Sequence, residues 1–251
     1  MTAGGGRTVL VTGAGGGMAR GINARLAAAG HGVVCTDVEA AAAERAAEDV
    51  RAQGGRAWAF PLDVTHDAAV SELRAAVEAA AGPVDAVVNA AGVLDRKRLG
   101  DHTGDSFLTV LDVNLAGPFR VIREFTPGMV ERGWGRVINI SSIAGVTGYP
   151  YPSYAASKGG LSNLTRSLVV DLWGTGVTVN AICPGSVDTP MVIDVVRRQV
   201  EKKVPTGRMI DPEEIGALAA FLLTDEARNI NGANLVVDGG ATATFEFFSE
   251  R

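Results

Sequence analysis

Tyr154 and Lys158 stand four residues apart in "YPYPSYAASKGG", residues 149–160, a stretch that also holds the chain's other two tyrosines, Tyr149 and Tyr151. On a helix that interval raises both side chains from one face. The small residues Ala155, Ala156, Ser157, Gly159 and Gly160 around them leave room for a flat ligand. A free phenol, with a pKa of about 10, is a poor base at neutral pH, and a neighbouring ammonium favours the phenolate by opposite-charge attraction. Such a pair suits removal of the hydroxyl proton of a secondary alcohol while hydride leaves the carbon, or the reverse reduction of a ketone. The chemistry also needs a donor for the substrate oxygen beside the phenol. "INISSIAG" offers Ser141 and Ser142 at the end of an apolar run.

A second stretch points to the electron carrier. "VLVTGAGGGMARGINARLAAAG" reads as strand, glycine turn and amphipathic helix, which aims backbone N–H groups and the positive end of a helix at an anion such as a pyrophosphate. Asp37 ends the next strand, twenty residues after Gly17. A carboxylate there accepts hydrogen bonds from the adenosine ribose hydroxyls and repels a 2′-phosphate, so NAD is expected over NADP.

These residues need a frame that brings strand ends together. Short β-branched runs alternate with helical patterns along the chain, the signature of βα units around a parallel sheet. Seven strands are expected at 7–12, 32–37, 56–63, 84–90, 135–141, 177–183 and 234–239. Several are apolar without alternation, as in strands covered on both faces. Helices are expected at 18–29, 40–53, 67–81, 105–132, 154–173 and 212–224, the last opened by "DPEE" with an Asp cap and Pro at the first helical position. The resulting fold class is α/β, a Rossmann-type doubly wound seven-stranded parallel sheet with helices on both faces. No linker, charge block or repeat divides residues 1–251, so a single domain is expected. The stretch 186–210 breaks the rhythm and reads as a substrate lid.

Composition narrows the partners. Nearly half of the 251 residues are apolar, the formal charge is −5 and no long run of one sign occurs. No nucleic-acid or membrane partner is expected, and a small molecule is. The opening residues have neither the layout nor the cleavage site of a signal peptide, and no apolar stretch could cross a bilayer, so a cytoplasmic protein is expected. Cys35 and Cys183 lie in strand patterns as buried free thiols. His31, His66 and His102 share no metal-ligand spacing and read as solvated turn residues, so no metal is expected. "DRKRLGDH", 95–102, reads as a charged, solvated loop near the pocket mouth.

Taken together the motifs resemble the classical short-chain dehydrogenases/reductases over nearly the whole chain, from Thr8 to Gly240. The glycine turn is similar to the family's TGxxxGxG, with Gly13 and Gly17 in place and Ala19 at the last glycine. "LDV" at 62–64 places Asp63 and Val64, and "NAAG" at 89–92 resembles NNAG, with Asn89, Ala91 and Gly92 in place and Ala90 at the second Asn. The resemblance implies cofactor contacts from Gly13, Gly17, Met18, Asp37, Asp63, Val64, Asn89, Ala91, Gly92, Tyr154 and Lys158. From "CPGSVDTPM" it adds Pro184, Gly185, Val187 and Thr189. It implies a catalytic set of Asn114, Ser142, Tyr154 and Lys158, selecting Ser142 because two residues and a glycine follow, with Ser141 a minor candidate. Asn114, in "DVNLAG", would kink its helix and hold a water beside the lysine. Ser142, Tyr149, Tyr151, Ser186 and Met191 would face the substrate. Leu94, Tyr149, Tyr151, Met191 and Ile193 suggest an apolar molecule, such as a cyclic or aromatic one.

The expected activity is thus NAD(H)-dependent interconversion of a secondary alcohol and a ketone by a homotetramer. An NADPH-dependent reductase of 3-oxoacyl chains on a carrier protein, and a non-catalytic sensor of the dinucleotide, are the alternatives.

Overall fold

A computed structural model describes residues 6–190, 192 and 194–244. Its seven strands are β1 (Thr8–Thr12), β2 (Gly32–Asp37), β3 (Arg56–Pro61), β4 (Ala86–Asn89), β5 (Gly135–Ile140), β6 (Val177–Pro184) and β7 (Asn234–Val237). They form one parallel sheet in the order β3-β2-β1-β4-β5-β6-β7. The order reverses between β1 and β4, which opens a crevice at the carboxyl ends of those strands, the usual ligand position in such sheets.

The described residues also form the helices α1 (Gly17–Ala28), α2 (Ala40–Ala52), α3 (Asp67–Ala81), α4 (Gly104–Leu111), α5 (Gly117–Glu131), α6 (Pro152–Asp171), α7 (Asp194–Lys203) and α8 (Pro212–Leu222). Alternate strand residues feed opposite faces. Val9, Val11, Val33 and Cys35 pack with Ile22 and Leu26 of α1, Val50 of α2 and Ile215 and Leu222 of α8. Leu10, Val34 and Val87 pack with Leu73 and Val77 of α3 and Val121, Phe125 and Met129 of α5. Burial on both faces is why these strands carry continuous apolar runs.

The expected helix 105–132 runs as helix from 104 to 131, departing from α geometry where a kink at Asn114 was expected. Residues Asp112–Ala116 form a π-helical turn between α4 and α5, because the Asn114 side chain bonds outside its own helix. The expected helix 154–173 begins two residues earlier, at Pro152, whose missing N–H costs nothing in a first turn. The insertion 186–210 contains α7 and is closed at its root. Val187 bridges to Ile210, with Asp188 N donating to Ile210 O (2.8 Å) and Ile210 N to Ser186 O (3.0 Å). Helix α8 opens as "DPEE" implies: Asp211 Oδ1 accepts from Glu213 N (2.9 Å) and Glu214 Oε2 from Asp211 N (2.8 Å). No helix among the described residues is long and apolar enough to cross a membrane.

Candidate active site

Three residues in register at the carboxyl ends of β1, β4 and β5 are polar: Thr12, Asn89 and Asn139. Thr12 Oγ1 accepts from Ala90 N (3.2 Å) and Ala91 N (3.1 Å), tying the glycine turn to the loop after β4. Gly13, at φ +62°, passes so close to that loop that a Cβ would lie 2.7 Å from Ala91 Cα. Asn23 Nδ2 holds Ala14 O (3.0 Å) from within α1. No side chain caps the first turn of α1, around Gly17 and Met18, and no acid stands in it, so its N–H groups face the crevice ready for an anion.

Asp37 lies against this turn, accepting from Gly15 N (3.1 Å) and Glu39 N (3.2 Å). Ala19 is buried in the core, and the close approach of α1 to another helix falls instead at Gly21, where a Cβ would meet Pro212 at 2.2 Å. A methyl at position 19 is therefore accommodated.

The other residues expected to contact the cofactor stand at or after the carboxyl ends of β3, β4 and β6. The Asp63 carboxyl accepts from Thr65 N (2.9 Å) and Thr65 Oγ1 (2.7 Å), which hold it below the ordinary carboxylate range. Val64 is buried against Gly117 at the start of α5. Asn89 turns its amide into the sheet, donating to Asn139 Oδ1 (2.9 Å), while Asn139 donates to Thr165 Oγ1 (3.0 Å) on α6. Its place is under the loop Ala90–Gly92. After β6, Gly185 N donates to Val237 O (2.8 Å), following Pro184. Beyond the Ser186 and Val187 bridge, Thr189 reaches over the glycine turn, where a Cβ on Gly17 would come within 3.0 Å of Thr189 Cβ. Met191 and Ile193 lie outside the described residues.

On the catalytic side, Ser142 follows β5, and its hydroxyl is near enough to the Tyr154 phenol to oppose the rise in that phenol's pKa. Ser142 Oγ also accepts from Ala144 N (3.1 Å), capping a single 3₁₀ turn, 143–145. This turn rests on α6 at Gly145, where a Cβ would strike the Lys158 carbonyl at 2.7 Å. Ser141 is turned inward, its Oγ donating to Lys158 O (2.9 Å) and sharing a hydrogen bond with Ser162 Oγ (2.8 Å). Lys158 is buried, with Nζ donating to Ile140 O (2.8 Å) and lying 5.8 Å from the Tyr154 ring centroid. Strand end and helix are thereby joined by reciprocal bonds.

Asn114 is fully buried: Oδ1 accepts from Val93 N (2.8 Å), and Nδ2 donates to Val93 O (2.9 Å) and Ser157 Oγ (3.1 Å). Ser157 Oγ in turn donates to Tyr154 O (2.8 Å). The Tyr149 ring leans on Tyr151 (5.6 Å) and on Tyr154 (5.9 Å), and the Arg98 guanidinium lies 5.7 Å from the Tyr151 ring.

Burial raises the Tyr154 phenol above its ordinary value, opposed by the neighbouring Ser142 hydroxyl. Burial depresses the Lys158 ammonium to about 8. His31 is not the solvated turn residue expected: half-buried, it accepts from Arg7 N (3.2 Å), and burial lowers its pKa.

Sequence reasoning missed Thr12 as a staple, Ser157 as the link from Asn114 to Tyr154, and the Asn89–Asn139–Thr165 line. Thr12 and Ser157 stand directly beside Gly13 and Lys158, and that adjacency was the signal available.

Comparison with known proteins covers the same ground. A family model described as enoyl-(acyl carrier protein) reductase matches residues 13–242. The chain is 39% identical over 240 residues to an acetoacetyl-CoA reductase of Allochromatium vinosum, covering 93% of this chain and 98% of the relative. It is 34% identical over 239 residues to a 3-oxoacyl-[acyl-carrier-protein] reductase of Pseudomonas aeruginosa, covering 94% and 97%. A crystal structure from Burkholderia xenovorans, described as a short-chain dehydrogenase/reductase, superposes with a TM-score of 0.90 at 33% identity, covering 95% of this chain and 97% of that one.

Proposed function

This chain belongs to the short-chain dehydrogenase/reductase family, and from that premise we propose an NAD(H)-dependent enzyme that interconverts a secondary alcohol and its ketone. As a member it is an NAD(P)-dependent oxidoreductase acting on CH–OH donors. The single observation that carries the finer reading is the Ser142 hydroxyl after β5 acting on the Tyr154 phenol of α6, with the Lys158 ammonium 5.8 Å from the phenol ring. The uncapped first turn of α1 and the side-chain-free Gly13 and Gly92 fit a dinucleotide laid along the crevice. Asp37 at the rim of that turn favours a free ribose over a phosphorylated one.

The bound nicotinamide would supply the hydride chemistry. In the chain itself, Ser142 donates to the substrate oxygen and stabilises the charge that develops there. Tyr154 gives that oxygen a proton or takes one from it. Because burial keeps the phenol protonated, the chain alone is poised to donate, the state that reduces a ketone. Lys158 supplies positive charge beside the phenol. Asn114 fixes the loop at Val93 and, through Ser157, the first turn of α6.

We read the whole chain as one catalytic unit, 186–210 as the lid, and Tyr149, Tyr151 and Ser186 as substrate-facing. Exposed Leu108 on α4, Phe119 on α5 and Val236 on β7 provide faces for a homotetramer, to be checked by sedimentation. A screen of secondary alcohols with NAD and with NADP, followed by absorbance of the reduced nicotinamide, tests the activity. Turnover undiminished in Tyr154→Phe would refute the assigned base.

One observation favours the second reading, an NADPH-dependent reductase of carrier-linked 3-oxoacyl chains. Arg96 acts on the Tyr149 phenol and Arg98 on the Tyr151 ring, so the pocket mouth carries cations suited to an anionic carrier. Fluorescence titration with NADH and NADPH separates the two, since a preference for NADPH removes the role given to Asp37. Turnover of any ketone removes the sensor reading.

A further inference from the structure

At the end of the sheet opposite Ser142, where β5 and β6 begin, there is a cavity of about 540 Å³ between the end of α6, the residues before β5 and the segment 225–231. Arg136, 3% exposed, forms part of its wall. Its Nη1 donates to Gly135 O (2.8 Å) and Gly176 O (3.4 Å), but its buried Nε has no acceptor. The Asp225 carboxylate stands 4.0 Å from Nη2, beyond hydrogen-bond range, and is itself mostly exposed. Trp134 also lines the cavity, its buried indole N–H unpartnered, with the guanidinium groups of Arg7 and Arg136 over its ring at 3.9 and 4.5 Å. Arg228 stands at the rim, and Leu172 and Trp173 supply apolar wall.

The ring stack accounts for the faces of the two guanidinium groups and not for their edges. Backbone carbonyls occupy Nη1 of Arg136 and leave the side edge, Nε with Nη2, which is the fork that matches the two oxygens of a carboxylate. A buried donor left unmade is costly, and a buried cation without an anion is costlier still. We propose that this cavity is a binding site for a small carboxylate with an apolar body, held by the Arg136 side edge, the Trp134 indole N–H and Arg228. It lies at the N-terminal ends of β5 and β6, away from Ser142 and Pro184 at their carboxyl ends, so such a ligand does not compete with the alcohol or ketone. The inference stands apart from the assignment of the catalytic tyrosine.

Two of the chain's three tryptophans, Trp134 and Trp173, line the cavity, so intrinsic fluorescence reads binding directly. Titration of the full chain with benzoate is expected to give a saturable change, and its neutral analogue benzamide to bind at least about tenfold more weakly. Arg136→Met should weaken benzoate at least about tenfold and the exposed Arg228→Ala about threefold, while Tyr154→Phe binds as the wild type does. Should Arg136→Met not fold, Arg228→Ala and the benzamide comparison still decide the matter. Equal affinity for benzoate and benzamide, wild-type affinity in both arginine variants, or no saturable change because a second copy covers Trp173 would each overturn the proposal.

Discussion

The two banks of the crevice are held in different ways. On the bank made by the glycine turn, the loop 89–93, Asn114 and α6, polar side chains are tied across the sheet: Thr12 to Ala90 and Ala91, Asn114 to Val93 and Ser157, Lys158 to Ile140. On the facing rim, Tyr149, Leu94 and Leu99 are exposed, Arg98 reaches Pro150 O only at 3.4 Å, and the insertion after β6 is fastened at its root. On the function proposed here, the difference teaches that proton and electron transfer belong to the rigid bank and substrate choice to the loose one, since loops on a fixed scaffold vary without disturbing it.

That contrast breaks most visibly if the rigid bank can be altered cheaply. Tyr154→Phe should lower kcat on any accepted substrate by about a thousandfold, with NADH binding by fluorescence unchanged; a loss confined to one substrate would move the tyrosine to the loose bank. Next comes the buried lysine. Its ammonium titrates at about 8 folded and 10.5 unfolded, so below pH 8 both states are protonated and the full burial penalty, about 3 kcal/mol, stands. Between pH 8 and 10.5 the unfolded state binds more protons, and stability rises. Urea unfolding should therefore show the wild type gaining up to about 3 kcal/mol on Lys158→Met from pH 7 to 10.5, and a flat difference would mean that the amine is not desolvated.

Smaller effects sharpen the comparison. Asp37→Ser should shift the ratio of kcat/KM for NADH over NADPH toward NADPH by about tenfold to a hundredfold, at little cost in stability. Arg98→Ala, on the loose bank, should change KM by about threefold or less on neutral ketones and more on anionic ones, with kcat constant. A fall in kcat instead would tie the rim to the chemistry.

Much of the frame could be read from the residues. Runs such as "VLVT" and "VVCT" declare strands covered on both faces, and the Asp at 211 marks a helix start because its cause is local. The break at Asn114 was expected only through the family resemblance; its π form and its cause were not legible locally, because the partner that holds the amide, Val93, lies 21 residues away. The choice of Ser142 over Ser141 likewise came from the resemblance, since the inward bond of Ser141 to the Lys158 carbonyl belongs to the packed molecule. The raised phenol of Tyr154 was not legible for a related reason: spacing shows that an ammonium is near, while depth of burial belongs to the packed molecule.

The root of the insertion, where Val187 meets Ile210, has an engineering consequence. A segment pinned where it leaves and re-enters the body can be lengthened, shortened or exchanged for a stranger's sequence at small entropic cost, since closure of the ring is already secured. Transplanting what lies between Pro190 and Met209 should therefore hand this framework a new appetite while the machinery underneath goes on as before.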